Sequence, residues 1–435
     1  MRRPLLTALP LLCLWFLLQT EPASAAAAPL TLRHRHFLFT VRPLPSWNAP
    51  ADRWTLNGQP FMPPAALLVD GDVVPPLPPG VRIEREQAWN RAVIRTVIAG
   101  ATESLRREPG SVVIRRTASG AIAFDGVGLP GRAVDLERAT DLVIAALEGS
   151  ITDVVLPTVE TQPLIRVEDP TLAAQGIREV VTVGESVFDN SPANRRHNIA
   201  VGLAKFNGHL IPRDAVFSFG ETLGPVDGTT GYRKELVIKG ARTEPDYGGG
   251  LCQVSTTAYR GVWEYGFPII QRINHSYTVS HYFPQGTDAT VYPPNVDMKF
   301  RNDSPGDLLI QTFAENDLAY FIFYGTKDER RSSIVGPFLW DQTPPPPDRT
   351  EYTTDLPPGE RKKMGERVPG VKAVWYRFMR TGTGETTESV FSHYEARPLY
   401  YLVGVTSLPA ASGSGTAIPT MFMEDGAAPD PSAQP

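Results

Sequence analysis

The sequence predicts a multi-domain α+β protein, on three observations. Its 435 residues exceed what one hydrophobic core of ordinary size encloses. Proline runs, "PPLPPG" at Pro75–Gly80 and "TPPPPD" at Thr343–Asp348, break the chain at two joints. Between them, segments of helical period alternate with segments of strand period, so neither class of element dominates.

The elements follow in order. Arg2 and Arg3, an apolar run from Leu5 to Leu18 and the small residues Ala23–Ala25 read as a secretory signal over 1–25. The apolar run is shorter than the roughly 20 residues a spanning helix needs. Residues 30–80 read as irregular, with one strand in "TLRHRHFLFTVRPL", where His34 and His36 fit a solvated edge better than a ligand pair. Residues 81–170 form a small α+β module. A helix carries Trp89, Val93, Val97 and Leu105 on one side, a hairpin turns at Ser119-Gly120, and a second helix starts at Asp135 and stops at Gly149. "DVVLPTVETQPLI" then continues as a strand. A mixed core domain is expected over 180–335, a β-rich module over 348–405, and a disordered Ala, Gly, Ser and Pro-rich tail over 409–435.

Composition excludes several classes. A formal net charge of -5 with 20% charged residues leaves no basic footprint for nucleic acid. No segment after the signal is long and apolar enough to span a bilayer, so localisation is expected to be exported, in the cell envelope or outside the cell. The chain has two cysteines, and Cys13 lies in the signal, so an exported form keeps Cys252 alone. An odd thiol in that setting is buried and inert, paired between chains, or reactive.

Three stretches resemble known families. Residues Asn194–Thr312 contain Asn198-Ile199, "FNGHLIPRDAVFSF", Gly231-Tyr232, "GGGLCQVSTTAY", "NHS", "GTDATV" and "DMKFRND" in order, and are similar to the VanW family. "GRAVDLERATDLVIAALEGSITDVVL" resembles the peptidoglycan-binding-like module that precedes wall-associated catalytic domains. Glu351–Gly404, with "LPPGE" and "GERVPG", resembles a divergent five-glycine-type β module. The resemblances imply a VanW-like core flanked by the two smaller modules. They also imply peptidoglycan or another cell-wall polymer as partner, and a link to glycopeptide (vancomycin) resistance. They transfer no settled activity and imply no cofactor.

The residues around Cys252 carry a chemistry of their own. Gly248, Gly249 and Gly250 permit positive φ and close approach of a ligand or another backbone. "CQVSTTAYRGVWEYG" then places Val254, Ala258, Val262 and Tyr265 on one helix face, with Gly266 as stop. Cys252 therefore sits at a helix start, where free N–H groups and the positive end of the helix dipole favour a thiolate.

A base is expected from "RINHSYTVSHYF". Read as a strand, it aligns His275, Tyr277, Val279 and His281 on one face. Asp288 or Asp297 would orient an imidazole, and Gln253 would help glycine-loop amides hold an oxyanion. The candidate catalytic set is Cys252, His275, His281, Gln253 and Asp288, with Gly248, Gly249, Gly250, Tyr232 and Tyr277 facing substrate. Three alternatives stand beside it. Cys252 packs as a small buried residue; Cys252, His275 and His281 bind zinc, although no short-spaced ligand pair supports this; or the domain is a non-catalytic wall-binding scaffold.

Overall fold

A computed structural model describes residues 28–60, 68–69, 72–73, 77–239 and 242–408. The expected signal (1–25, with Cys13) and tail (409–435) lie outside the described residues, as does part of segment 30–80.

The centre of the molecule is a four-stranded antiparallel sheet in the order Glu179–Val187, Leu318–Gly325, Leu308–Glu315, Leu210–Ile211. "LAYFIFYG" reads as a continuous apolar run because both faces of its strand are covered. Ala319, Phe321 and Phe323 join one core with the helices Ala193–Phe206 and Leu251–Tyr265. Tyr320, Ile322 and Tyr324, one residue out of phase, join a second core with Val112, Ile114 and Leu172. This period-2 division decides which side each neighbour occupies.

The helix Leu251–Tyr265 lies on the edge strand at a contact only glycine allows. A Cβ on Gly184 would lie 1.8 Å from the Thr257 carbonyl oxygen, and one on Gly261 would lie 2.5 Å from Gly184 N. Thr182 Oγ1 donates to Gly261 O at 2.8 Å across the same seam.

The N-terminal part departs from expectation at three points. Val81–Trp89 is a strand paired with Asn48–Leu56, and the helix begins only at Arg91, capped by Asn90, whose side chain accepts from Val93 N. The alternation in "VRIERE" wins over helical spacing there. The strand Leu30–His34 pairs with Phe37–Val41 and with Asp153–Val155, so the segment read as irregular shares one core with the helices Arg91–Ala101 and Leu136–Glu148. "DVVLPTVETQPLI" is three short strands, interrupted at Pro157 and Pro163, because proline supplies no ladder N–H. The hairpin at Ser119-Gly120 and the Asp135 helix cap are found where expected.

His34 and His36 are not a solvated edge. His36 points inward beside Glu185, and burial lowers both rings, His36 to about 3 and His34 to about 4. Glu185, fully buried, is held between Arg132 Nη1 and Arg107 Nη1, each at 3.0 Å. This ion cluster ties the N-terminal part to the central sheet.

Beyond the central sheet, Arg331–Thr343, Gly370–Thr381 and Gly384–Tyr394 form one sheet, and Arg349–Thr353, Tyr400–Gly404 and Arg361–Met364 another. The β-rich section thus recruits a strand from before the second proline joint. Trp375 packs edge-on against Trp263 of the long helix, and Arg377 Nη1 donates to Trp263 O and Phe267 O at 2.8 and 3.1 Å. Among the described residues no helix is long and apolar enough to cross a membrane.

Candidate active site

The glycine turn is built first. Gly248 and Gly250 have φ of 83° and 116°, and Gly250 is the N-cap of Leu251–Tyr265. The space the glycines create is filled by the protein itself. A Cβ on Gly248 would lie 2.5 Å from Val226 Cγ1, one on Gly249 2.8 Å from Leu236 O, and one on Gly250 3.1 Å from Arg195 Cγ. Asn198, in the middle of the helix Ala193–Phe206, locks the turn by donating to Gly249 O at 3.0 Å and Arg233 O at 2.9 Å. The glycines therefore bring chain against chain and place the next residues; they do not line an open cleft.

Cys252 follows at the second helical position and is partly exposed. Its neighbours Leu251 and Gln253 donate their N–H groups to Gly248 O and Gly250 O. Among the described residues the Cys252 N–H bonds to no carbonyl outside the helix, as expected for a first-turn donor.

The segment after Ile269–Gln271 is not the expected strand. Its backbone makes scattered bonds instead of a ladder: His275 N donates to Asp288 Oδ2 at 2.8 Å, while Ile273 O and Ser276 O accept from Thr290 N and Glu395 N at 2.8 and 2.6 Å. The shared face of His275, Tyr277, Val279 and His281 therefore does not exist. His275 alone turns toward Cys252.

His275 Nδ1 meets Asp288 Oδ2 at 2.6 Å, with both side chains 2% exposed, and its ring stacks on Tyr282 at 4.5 Å. The carboxylate fixes the ring and directs Nε2 away from itself. The other carboxylate oxygen accepts from Arg272 Nη2 at 3.3 Å and from the Tyr394 hydroxyl.

Electrostatics couple the three groups. Burial raises the Cys252 thiol, but hydrogen bonding and charge attraction from His275 outweigh it, and the net effect is a lowered pKa. Burial opposes the charged ring of His275, yet Asp288 and then Cys252 push it up from 6.5 to about 9. Burial likewise opposes the Asp288 carboxylate, and His275 and Arg272 hold it well below the usual carboxylate range. The directions favour a thiolate–imidazolium pair. The two groups influence each other's protonation, yet no hydrogen bond joins them directly. Among the described residues His275 Nε2 is buried without a partner, and the thiol points to Val291 O at 3.7 Å. An unformed catalytic hydrogen bond is ordinary in a site without substrate.

The helix also holds the loop that carries Asp288. Ser255 Oγ donates to Ala289 O at 2.5 Å and Thr256 Oγ1 accepts from Ala289 N at 3.0 Å. Arg260 donates to Tyr282 O, Phe283 O and Thr287 O. These residues, with Arg272 and Tyr394, were absent from the sequence-based set. The one sequence signal for the helical ones is a run of uncharged polar positions, "STT", that is nonetheless wholly buried.

The other candidates lie elsewhere or are already engaged. Gln253 is fully buried; its Nε2 donates to Ser186 Oγ and Val187 O, and its Oε1 accepts from Arg195, so no N–H remains for an oxyanion. His281 sits in the turn Ser280–Tyr282, where burial and then Arg195 lower it to about 4. Tyr277 packs under the Arg397 guanidinium at 4.3 Å. Tyr232 is a core residue whose buried hydroxyl has no partner among the described residues, and burial raises it to about 12. Asp297 caps the short helix Phe219–Leu223 by accepting from Gly220 N and Ser218 Oγ. Among the described residues no group of three His, Cys, Asp or Glu side chains is arranged to hold a metal ion. A cavity of about 360 Å³ lined by Arg35, Glu160, Glu264, Lys327 and Ser332 lies toward the other end of the helix. Glu264 is roughly 18 Å from Cys252 along the axis.

Cys252, His275, Asp288 and Arg272 all fall in residues 194–324, which match the family model described as "VanW like protein". The chain carries a VanW-like domain. Two curated relatives match part of the chain. "Uncharacterized protein YoaR" of Bacillus subtilis is 34% identical over 125 residues, covering 28% of this chain and 41% of its own. "Vancomycin B-type resistance protein VanW" of Enterococcus faecalis is 28% identical over 158 residues, covering 35% of this chain and 51% of its own. The chain thus spans about half or less of each relative's length. No solved structure matches the chain significantly.

Proposed function

We propose that the VanW-like domain is a cysteine-dependent acyl-transfer centre acting on peptide bonds of a cell-wall polymer, in a protein exported to the envelope. The observation that carries this reading is the Cys252, His275 and Asp288 group: an imidazole oriented by a buried carboxylate at 2.6 Å, its free Nε2 beside a thiol of lowered pKa. The polymer and the export rest on the relative's resistance name and on the signal-like N-terminus.

The chemistry follows from the geometry. Cys252 thiolate attacks the carbonyl carbon, and the tetrahedral oxygen takes its negative charge within reach of the Cys252 N–H at the helix start. His275 gives its proton to the departing amine as the C–N bond breaks, leaving a thioester. His275, now neutral, takes a proton from water or an acceptor amine, which attacks the thioester and releases Cys252. Asp288 stays ionised and stabilises the imidazolium in both halves.

The test uses purified protein and cell-wall fragments, with released amine or new linkages followed by mass spectrometry. Wild type should turn over, and Cys252→Ser should not. Iodoacetamide labelling of the Cys252 peptide should show a thiol midpoint below the roughly 8.5 of free cysteine. A midpoint at or above that value, with no turnover, would favour the scaffold reading, in which the domain grips polymer without altering it.

A further inference from the structure

The Asp288 carboxylate is completed from outside the matched region. Oδ2 takes the His275 ring and backbone N–H; Oδ1 takes Arg272 and the hydroxyl of Tyr394. Tyr394 is 2% exposed and ends the strand Gly384–Tyr394 of the C-terminal sheet, 106 positions from Asp288. Its hydroxyl also accepts from Gly286 N at 2.7 Å, so one oxygen closes the loop that presents Asp288. The neighbouring contacts repeat the pattern. Arg272 Nη1 donates to Ser392 Oγ at 2.9 Å, Glu395 N to Ser276 O at 2.6 Å, and Trp375 Nε1 to Gln285 O at 2.7 Å.

We propose that Tyr394 is a positioning residue of the Cys252 centre, and that the C-terminal sheet is therefore a working part of that centre rather than an appended binding module. This rests on the acyl-transfer reading above. The physical reason is the number of donors on one buried carboxylate. With the hydroxyl removed, Oδ1 keeps only the longer Arg272 contact, Gly286 N–H loses its acceptor, and the loop and its carboxylate are held less firmly. The imidazole, held through Oδ2, is then aimed at the thiol less tightly. Burial pushes the Tyr394 phenol far up, so it remains a donor throughout the working pH range.

The test is Tyr394→Phe in the full chain, with Cys252 alkylation by iodoacetamide measured across pH 5 to 10 on the Cys252 peptide, beside wild type and His275→Ala. Phenylalanine keeps the ring, and a melting curve checks that the variant is folded. The expected result is a thiol midpoint displaced toward that of His275→Ala, with labelling at neutral pH slowed roughly tenfold, the scale of one hydrogen bond to a charged group. A filler that merely packs the sheet would change the melting temperature and leave this profile alone. A folded Tyr394→Phe protein whose profile superimposes on wild type, while His275→Ala is displaced, overturns the proposal and spares the acyl-transfer reading. If wild type and His275→Ala coincide, the thiol–imidazole reading fails and takes the proposal with it. Should Tyr394→Phe melt early, Ser392→Ala is the second probe. It loosens Arg272 on the same carboxylate oxygen and should displace the midpoint the same way; an unmoved midpoint in that variant overturns the proposal.

Discussion

Replacing Asp288 by asparagine keeps the side-chain volume and removes the charge. The carboxylate now meets only donors: the His275 ring and N–H, Arg272 and Tyr394. An amide has one accepting oxygen, so its NH2 must face at least one donor, and Arg272 and the imidazolium are left as buried charges. Breaking a buried pair from one side costs about 3–5 kcal/mol. The cost depends on pH with a definite sign. The folded-state pKa of His275 is raised from 6.5 to about 9, so its contribution is fully present below 6.5 and is lost as pH rises through about 9. The folded-state pKa of Asp288 is depressed below 3.8, so its contribution is present above 3.8 and is lost as pH falls through the folded value. The stability gap between wild type and Asp288→Asn should therefore be widest between roughly pH 4 and 6.5 and narrow toward pH 9. Urea unfolding of both proteins at pH 6 and pH 9, with m unchanged, measures it. Equal midpoints at pH 6 would refute the idea that this carboxylate holds a charged ring.

Other expectations are more local. His281→Ala should leave the Cys252 alkylation profile unchanged where His275→Ala raises its midpoint, because the His281 ring answers to burial, Arg195 and Asp189 rather than to the thiol. Gly184→Ala must push the helix off the sheet, since its Cβ would sit 1.8 Å from Thr257 O; a loss of about 3 kcal/mol in urea unfolding is expected. Glu185→Gln strands Arg132, whose side chain is 4% exposed, together with Arg107, and should cost about 3–5 kcal/mol by the same measurement.

What the sequence disclosed divides by range of interaction. Cys252 at a helix start was legible because glycine, helix period and C-terminal Gly266 are all local signals. His275 was legible as a residue type, but the strand that was to present it was not there: "NHSYTVSHYF" is β-branched and aromatic, and its backbone is nevertheless claimed by Asp288 and by loop contacts. Propensity yields there to a carboxylate and to contacts from distant parts of the chain. Gln253 looked like an oxyanion donor only because it adjoins the thiol in sequence; one step along a helix turns a side chain by about 100°, and it faces Ser186 on the sheet instead. Tyr394 and Arg132 had no local signal at all, since each acts across more than 50 positions.

The same long-range ties change what the resemblances mean. Read as separate modules, the N-terminal and C-terminal parts are carriers that hold a central domain on a polymer. Yet the hairpin Ser111–Arg116 and Ile122–Gly126 packs on the face of the central sheet opposite the helices, and Glu185 of that sheet takes its charges from Arg107 and Arg132. On the other side Trp375 enters the central core, and Tyr394 completes Asp288. Neither flank can leave without exposing a sheet face or unbalancing a buried carboxylate, and each loss is of the same order as the 5–15 kcal/mol that stabilises a typical domain. The three parts should therefore unfold in one transition, and a calorimetric scan with a separate early transition for the C-terminal sheet would contradict the close coupling on which the Tyr394 argument depends.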